Sequence, residues 1–312
     1  MKKLLPTLRL SLDMTDVLAK IEHAGIKINL ETLNDIRNEY EHELTTIDKR
    51  LKELVSNVMG DTPINLNSAD DRSMLFYSRK INNKETWARM FNIGHEMRGA
   101  TKKVKMRKPM SKTNFAAAIR NNTQIIRKTT GYQCGTCEGE GRLRFKLKSG
   151  QLGKANRLCK NCNATGVVYS QSKQVAGLRI VPRNTKDVAQ AGFKTDKTTL
   201  ESMLSSLKGE AKEFVELYVR YSALRTYLST FVEGMENNVD ENSYIHPEFM
   251  QCITATGRLS SRNPNFQNMP RGSTFRIRKV VESRFEGGSI IEGDYSQLEF
   301  RVAGFLANDS QI

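Results

Sequence analysis

Residues 254–270 read TATGRLSSRNPNFQNMP, a run with no apolar period of the kind that packing requires. Arg258, Arg262, Asn263, Asn265, Gln267 and Asn268 place guanidinium and amide groups among small residues. In a loop, such groups suit hydrogen bonds to phosphates, sugars and base edges. Further on, residues 289–312 read SIIEGDYSQLEFRVAGFLANDSQI. The apolar piece 289–292 predicts a strand, Ser296 onward predicts a helix, and Asp294 stands at the junction. A carboxylate there can cap the helix, and it is also well placed to hold a metal ion.

Toward the N-terminus, residues 11–28 predict a short helix, a turn at Gly25 and an extended piece, Ile26-Lys27-Ile28. Asn29 can cap the following helix by accepting from an early backbone N–H. From Leu30 to Met59, Leu33, Ile36, Tyr40, Leu44, Ile47, Leu51, Leu54 and Val58 recur every three or four residues, which predicts an apolar stripe opposite a charged face. Gly60, Asp61 and Pro63 end it. Residues 211–235 predict a second amphipathic helix, with Phe214, Leu217, Tyr218, Tyr221, Leu224, Leu228, Phe231 and Met235 on one side. Strand-like residues also occur at 249–253. Cys252, in that stretch, reads as a small core hydrophobe.

A chain of 312 residues can bury one large core or two to three modest ones. No apolar run approaches the roughly 18–20 residues of a membrane span, and MKKLLPTLRL is too short an apolar stretch for a signal peptide. A cytoplasmic protein with no membrane partner is expected. The net charge of +15 is concentrated in one place. Residues 97–183 hold 20 Lys and Arg against two acids, Glu138 and Glu140, and the rest is about neutral. A block that outweighs the whole chain's excess points to a polyanion, of which nucleic acid is the commonest, rather than to a solvated face.

Inside that block stand CGTCEGEG (134–141) and CKNCNATG (159–166). The pattern C-x2-C-x21-C-x2-C suits a tetrahedral four-sulfur zinc site, with Cys134, Cys137, Cys159 and Cys162 as ligands. Four sulfurs leave no open position for water, so this one Zn²⁺ is structural, and it supplies folding free energy that so small a ribbon lacks. The first knuckle resembles the zinc-ribbon repeat of DnaJ-type chaperones, and the second departs from it at Ala164.

TATGRLSS, PNFQNMP and DYSQLEFR together resemble the signatures T-[AV]-T-G-R-L-S-S, P-N-L-Q-N-I-P and D-Y-S-Q-I-E-L-R of family A, DNA polymerase I-like, DNA polymerases. LAKIEHAGIKIN, INLNSADDRSMLF and GFKTDKTTLE extend the likeness to most of the chain outside about 85–175. Phe266, Leu298 and Phe300 are conservative departures from it. The resemblance implies an α+β fold: a mainly helical thumb, part of a palm with antiparallel sheet, and a small zinc-ribbon insertion. Residues 1–60 would be a palm-associated segment and long helix. Residues 61–243 would be the thumb, interrupted at about 85–182, and residues 244–312 a partial palm.

The activity it implies is template-directed DNA synthesis from deoxynucleoside triphosphates on primer-template DNA, with two catalytic Mg²⁺ ions. Asp294 would touch both ions, Tyr295 would lend its backbone carbonyl, and Glu299 would reject a 2′-hydroxyl. Arg258, Asn265, Gln267, Asn268 and Arg271 would contact DNA, while the register at Arg271, Arg276 and Arg278 is shifted. A second catalytic aspartate in H-D-E and a fingers helix with R-x3-K are not in this sequence: His23, His42, His95 and His246 precede Ala, Glu, Glu and Pro. One carboxylate cannot hold two Mg²⁺ ions. The expectation is therefore an enzyme inactive as this chain alone, completed by a C-terminal polypeptide: a split, phage-type polymerase or a piece of a longer chain. The competing expectation is a zinc-ribbon DNA-binding module, or polymerase remnant, that catalyses nothing.

Overall fold

The computed structural model describes residues 5–93, 110–147, 149–270 and 275–309. The basic run from Arg98 to Lys108, and Arg271, lie outside the described residues. The chain begins with α1 (Leu5–Ala24), β1 (Ile26–Ile28) and α2 (Leu30–Met59). It continues through α3 (Ala69–Tyr77), β2 (Arg79–Ile81), α4 (Lys84–Phe91), α5 (Lys112–Asn122) and β3 (Thr123–Ile125). Strands β4 (Arg127–Gln133), β5 (Arg142–Lys146), β6 (Leu152–Leu158) and β7 (Val167–Val175) follow, then β8 (Val188–Ala189) and β9 (Gly192–Phe193). Next come α6 (Lys197–Met203), α7 (Gly209–Tyr227), α8 (Glu233–Glu236), β10 (Tyr244–Ile245) and β11 (Glu248–Met250). The last elements are β12 (Ser260–Arg262), β13 (Val281–Glu282) and α9 (Leu298–Ala307). The named strands pair antiparallel throughout, so with these helices the chain is α+β, as expected.

Two compact units result, one formed by 1–42 with 224–312 and the other by 43–223. In the first, β1 lies between β10 and β13, with Ile26 opposite Ile245 and Ile28 opposite Val281. Alternation puts Ile28 and Ile245 in the core, while Lys27 reaches across the sheet to Glu282 at 3.0 Å. Asn29 caps α2: its side-chain oxygen accepts from the Thr32 N–H at 2.8 Å. Tyr40, at the end of this unit's share of α2, meets Tyr227 edge to face at 5.1 Å.

The stripe expected along α2 is buried at Leu33, Ile36, Tyr40, Ile47, Leu51, Leu54 and Val58, with Leu44 half-buried. The second expected helix is interrupted. After α7 a single π turn spans Leu228–Val232 before α8. Around this turn the adjacent pairs Tyr227-Leu228 and Phe231-Val232 are all buried, as Phe214-Val215 are within α7.

Two expectations fail. Residues 289–292 form no strand, and Ile291 is 93% exposed. A strand needs a neighbour to take its N–H and C=O groups, and no described strand lies beside this one. Cys252 is not a core residue: it sits exposed in a bend past β11, with φ at +61°.

The second unit has a core around Trp87, which touches Phe91 and Phe193 and donates its indole N–H to the Ala189 carbonyl at 2.9 Å. From it rises a two-tier ribbon. Strands β4 and β7 pair from Arg127–Val175 up to Gln133–Val167, and β5 and β6 pair above them. Its base is tied to the end of α2. Asp61 donates its N–H to the Thr129 carbonyl at 2.9 Å, and its carboxylate accepts from the Gly131 N–H at 2.8 Å.

Candidate functional site

In the first unit, the polar run 254–270 is a folded loop. A turn at Gly257, whose φ is +75°, brings the Thr254 hydroxyl onto the Arg258 carbonyl at 2.7 Å. The Arg258 guanidinium then pairs with Glu299, a residue 41 positions away in the first turn of α9. Two site residues expected from sequence are thus brought together. Buried Ser261 donates to Asn265, whose side-chain oxygen also accepts from the Asn268 N–H at 3.2 Å. Asn265 therefore shapes a 3-10 turn that leaves Gln267 and Asn268 exposed.

Glu248 was not visible from sequence as part of this loop. Its carboxylate accepts from the Asn263 amide at 2.7 Å and from Arg262 Nε at 2.7 Å. The Asn263 amide and then the Arg262 guanidinium hold Glu248 below the usual carboxylate range. Two groups that composition offered to a ligand are engaged by β11 instead. The clue was the pairing of β11 with β12, which sets Glu248 opposite Arg262.

Asp294 lies in an exposed stretch outside any helix or strand. Helix α9 starts at Leu298, with Gln297 at the cap position and no side-chain cap bond, so Asp294 is not the N-cap and residue 296 is not yet helical. Upstream, Arg278 bonds Glu292 at 3.3 Å and the Pro270 carbonyl at 3.2 Å, which ties this stretch to the polar loop. Arg276 pairs with Glu39. The hard oxygens of Asp294 and of the Tyr295 carbonyl suit Mg²⁺ in kind, since Mg²⁺ favours carboxylates and other oxygen ligands. Among the described residues, the side chains that converge in a group of three or more His, Cys, Asp or Glu are the four cysteines.

Those cysteines are buried, and their sulfurs lie within 4.8 Å of one another. The Cys134–Cys159 and Cys137–Cys162 sulfurs are 3.9 and 3.6 Å apart, close to the edge of about 3.8 Å in a tetrahedron of zinc–sulfur bonds of about 2.3 Å. The two knuckles match. The N–H of Gly141 points at Cys137 Sγ and that of Gly166 at Cys162 Sγ, both at 3.3 Å. The Cys134 N–H donates to the Gly166 carbonyl at 2.8 Å, and the Cys159 N–H to that of Gly141 at 2.9 Å. A Cβ on Gly166 would lie 2.1 Å from the Gly139 carbonyl oxygen. Burial raises the Cys134 thiol, but N–H donors from Cys137 and Thr136 outweigh it and bring it down to about 6. Burial, with the neighbouring sulfurs, pushes Cys137 up to about 12.

Residues 165–312 match the model of DNA polymerase family A. The match covers just under half of the chain. DNA polymerase I of Treponema pallidum is 37% identical over 123 residues, 39% of this chain and 12% of that protein. The thermostable DNA polymerase I of Thermus aquaticus is 36% identical over 126 residues, 38% of this chain and 15% of that one. The DNA polymerase of Bacillus phage SP01 is 35% identical over 119 residues, 35% and 13% of the two chains. The polymerase homology thus spans a small fraction of those relatives' length. The fold of nearly the whole chain is similar to the POL domain of Pol1 from M. smegmatis, solved in complex with DNA primer-template and dNTP. The TM-score is 0.50 and the identity 20%, covering 96% of this chain and 34% of that one. Cys134, Cys137, Cys159 and Cys162 lie before the matched region begins.

Proposed function

We propose that this chain contributes part of the catalytic face of a family A DNA polymerase. Asp294 and the Tyr295 carbonyl would supply oxygen ligands to the two Mg²⁺ ions. Glu299 would guard the sugar of the incoming deoxynucleotide, and Arg258, Gln267 and Asn268 would line the minor groove of primer-template DNA. The observation that carries this reading is the pairing of Arg258 with Glu299, which joins the two polymerase motifs in one place. Bound Mg²⁺ would neutralise charge as phosphate is transferred. Because the oxygens here are too few, the remaining acid and the triphosphate-binding fingers come from polypeptide beyond these residues, in the same chain or in a partner. The four cysteines hold one structural Zn²⁺ in a ribbon whose basic surface adds grip on duplex product.

The test is primer extension with Mg²⁺ by the assembly that contains this chain and the rest of the palm. Asp294→Ala should abolish incorporation while leaving primer-template affinity within about twofold, because it removes a group used in the reaction rather than in binding. Extension by the 312 residues alone, or an Asp294→Ala assembly that still synthesises DNA, would overturn the reading. The competing reading, a DNA-binding module without chemistry, draws on the basic block at 97–183 and predicts that Asp294→Ala changes nothing.

A further inference from the structure

At the root of the ribbon, within the second unit, the structure contains an open cavity of about 400 Å³. Its walls come from the end of α3, from α5, from the end of β3 and from residues 179–183. Phe115, Ile119 and Ile180 form a buried apolar floor, while Ile125 and Val181 stand exposed at the edge. Four cations complete the lining: Arg79, Lys112, Arg179 and Arg183. Among the described residues no Asp or Glu lines the cavity and no salt bridge reaches any of the four. The side chains of the three arginines bond neutral oxygens: Thr123 for Arg79, the Val175 carbonyl for Arg179 and Ser206 for Arg183. Arg179 is held with φ at +57°, its N–H donating at 2.8 Å to the hydroxyl of buried Ser78. Such a conformation disfavours a residue with a Cβ, and strain of this kind gathers at binding sites.

We propose that this cavity docks an acidic segment of a partner protein that carries a bulky apolar side chain. The side chain fills the apolar floor, and flanking carboxylates meet the ring of cations. The walls speak against the other candidates. A small-molecule site uses convergent polar groups to orient its ligand, but Ser78 already accepts from Arg179, and the Tyr77 hydroxyl donates to the Lys194 carbonyl at 2.8 Å. A single-stranded nucleic acid wants exposed aromatic platforms, whereas Tyr77 and Phe115 are buried. A peptide also covers Ile125 and Val181, which a ligand confined to the cavity would leave wet. This site does not depend on the polymerase reading.

Fluorescence anisotropy on the zinc-loaded full chain tests it. The probe is a fluorescein-labelled peptide with a Leu-Phe pair inside a run of Asp and Glu. A second peptide has Ser-Ser in place of Leu-Phe, and a DNA oligonucleotide of equal charge serves as competitor. Saturable binding of the first peptide is expected, weakened at least about tenfold by loss of the apolar pair, since a buried anchor carries most of such an affinity. Lys112→Glu with Val181→Asp, both exposed positions, should weaken it similarly at an unchanged melting temperature. Ala116→Trp, which fills the cavity, should do the same through volume alone. Absent binding, equal binding of the Ser-Ser peptide, indifference to these variants, or displacement by the oligonucleotide at equal charge would each overturn the proposal. Binding of anilinonaphthalene sulfonate in the cavity without binding of the peptide would overturn it too, assigning the space to a small amphipathic anion.

Discussion

Single residues carry the sharpest consequences. In the second knuckle Ala164 takes φ +67°, the counterpart of Gly139 at +84° in the first. A left-handed residue with a Cβ costs about 1–2 kcal/mol, and glycine returns part of that as unfolded-chain entropy. Ala164→Gly should therefore stabilise the zinc-loaded ribbon by about 0.5–1 kcal/mol in a denaturant titration. Gly166→Ala should cost at least about 1–2 kcal/mol, because the backbone would have to move away from a carbonyl oxygen. Glu248 links the polar loop to pH. Its folded value lies below the ordinary glutamate value of about 4.3, so its contribution is complete above that pH and is lost as pH falls through the lowered value. Acid unfolding of wild type and Glu248→Gln should show a shallower acid limb for the variant. Glu299→Ala should admit ribonucleotides to the assembled polymerase at least about tenfold more readily, measured as a ratio of kcat/KM values. The Asn29 cap and the four-cysteine spacing were legible in the sequence, because each is a local arrangement with one chemical purpose. The engagement of Arg262 and Asn263 by Glu248 was not, because it spans fourteen to fifteen residues and needs two strands in register.

At the scale of elements, the ribbon is a separable part. Arg127 and Val175 are cross-strand partners, so the whole of 127–175 can be replaced by a two-residue linker without stretching the chain. The assembly lacking it should bind duplex primer-template less tightly and with a smaller dependence on salt, because fewer counterions are released. An unchanged slope of affinity against salt would remove the ribbon from DNA. Chelating the metal should unfold the ribbon, since structural Zn²⁺ supplies on the order of 10–16 kcal/mol to such folds. Helix α2, with its own buried stripe, should keep its far-ultraviolet signal. That stripe and the one on α7 were readable from period alone. The π turn after α7 was not, because the extra residue it accommodates is set by what the adjacent pairs Tyr227-Leu228 and Phe231-Val232 pack against.

At the scale of the whole molecule, both units leave apolar side chains bare, Ile125 and Val181 among them in the second. The second unit buries large aromatics such as Trp87, Phe76 and Phe214. In the first, Ile290, Ile291, Phe300, Phe305 and Leu306 are exposed before and along α9. Contiguous apolar surface of this kind favours association in water. The purified chain should self-associate at micromolar concentration in sedimentation, and Ile291→Asp with Phe305→Asp should suppress this while changing unfolding by less than about 0.5 kcal/mol. Charge, cysteine spacing and the polymerase motifs were determined by the sequence alone, because each is written in neighbouring residues. The tertiary structure alone decided that Arg258 meets Glu299, that residues 289–292 form no strand and that four cations ring an apolar cavity. Those facts depend on segments far apart in the chain being held side by side, which periodicity and composition do not encode.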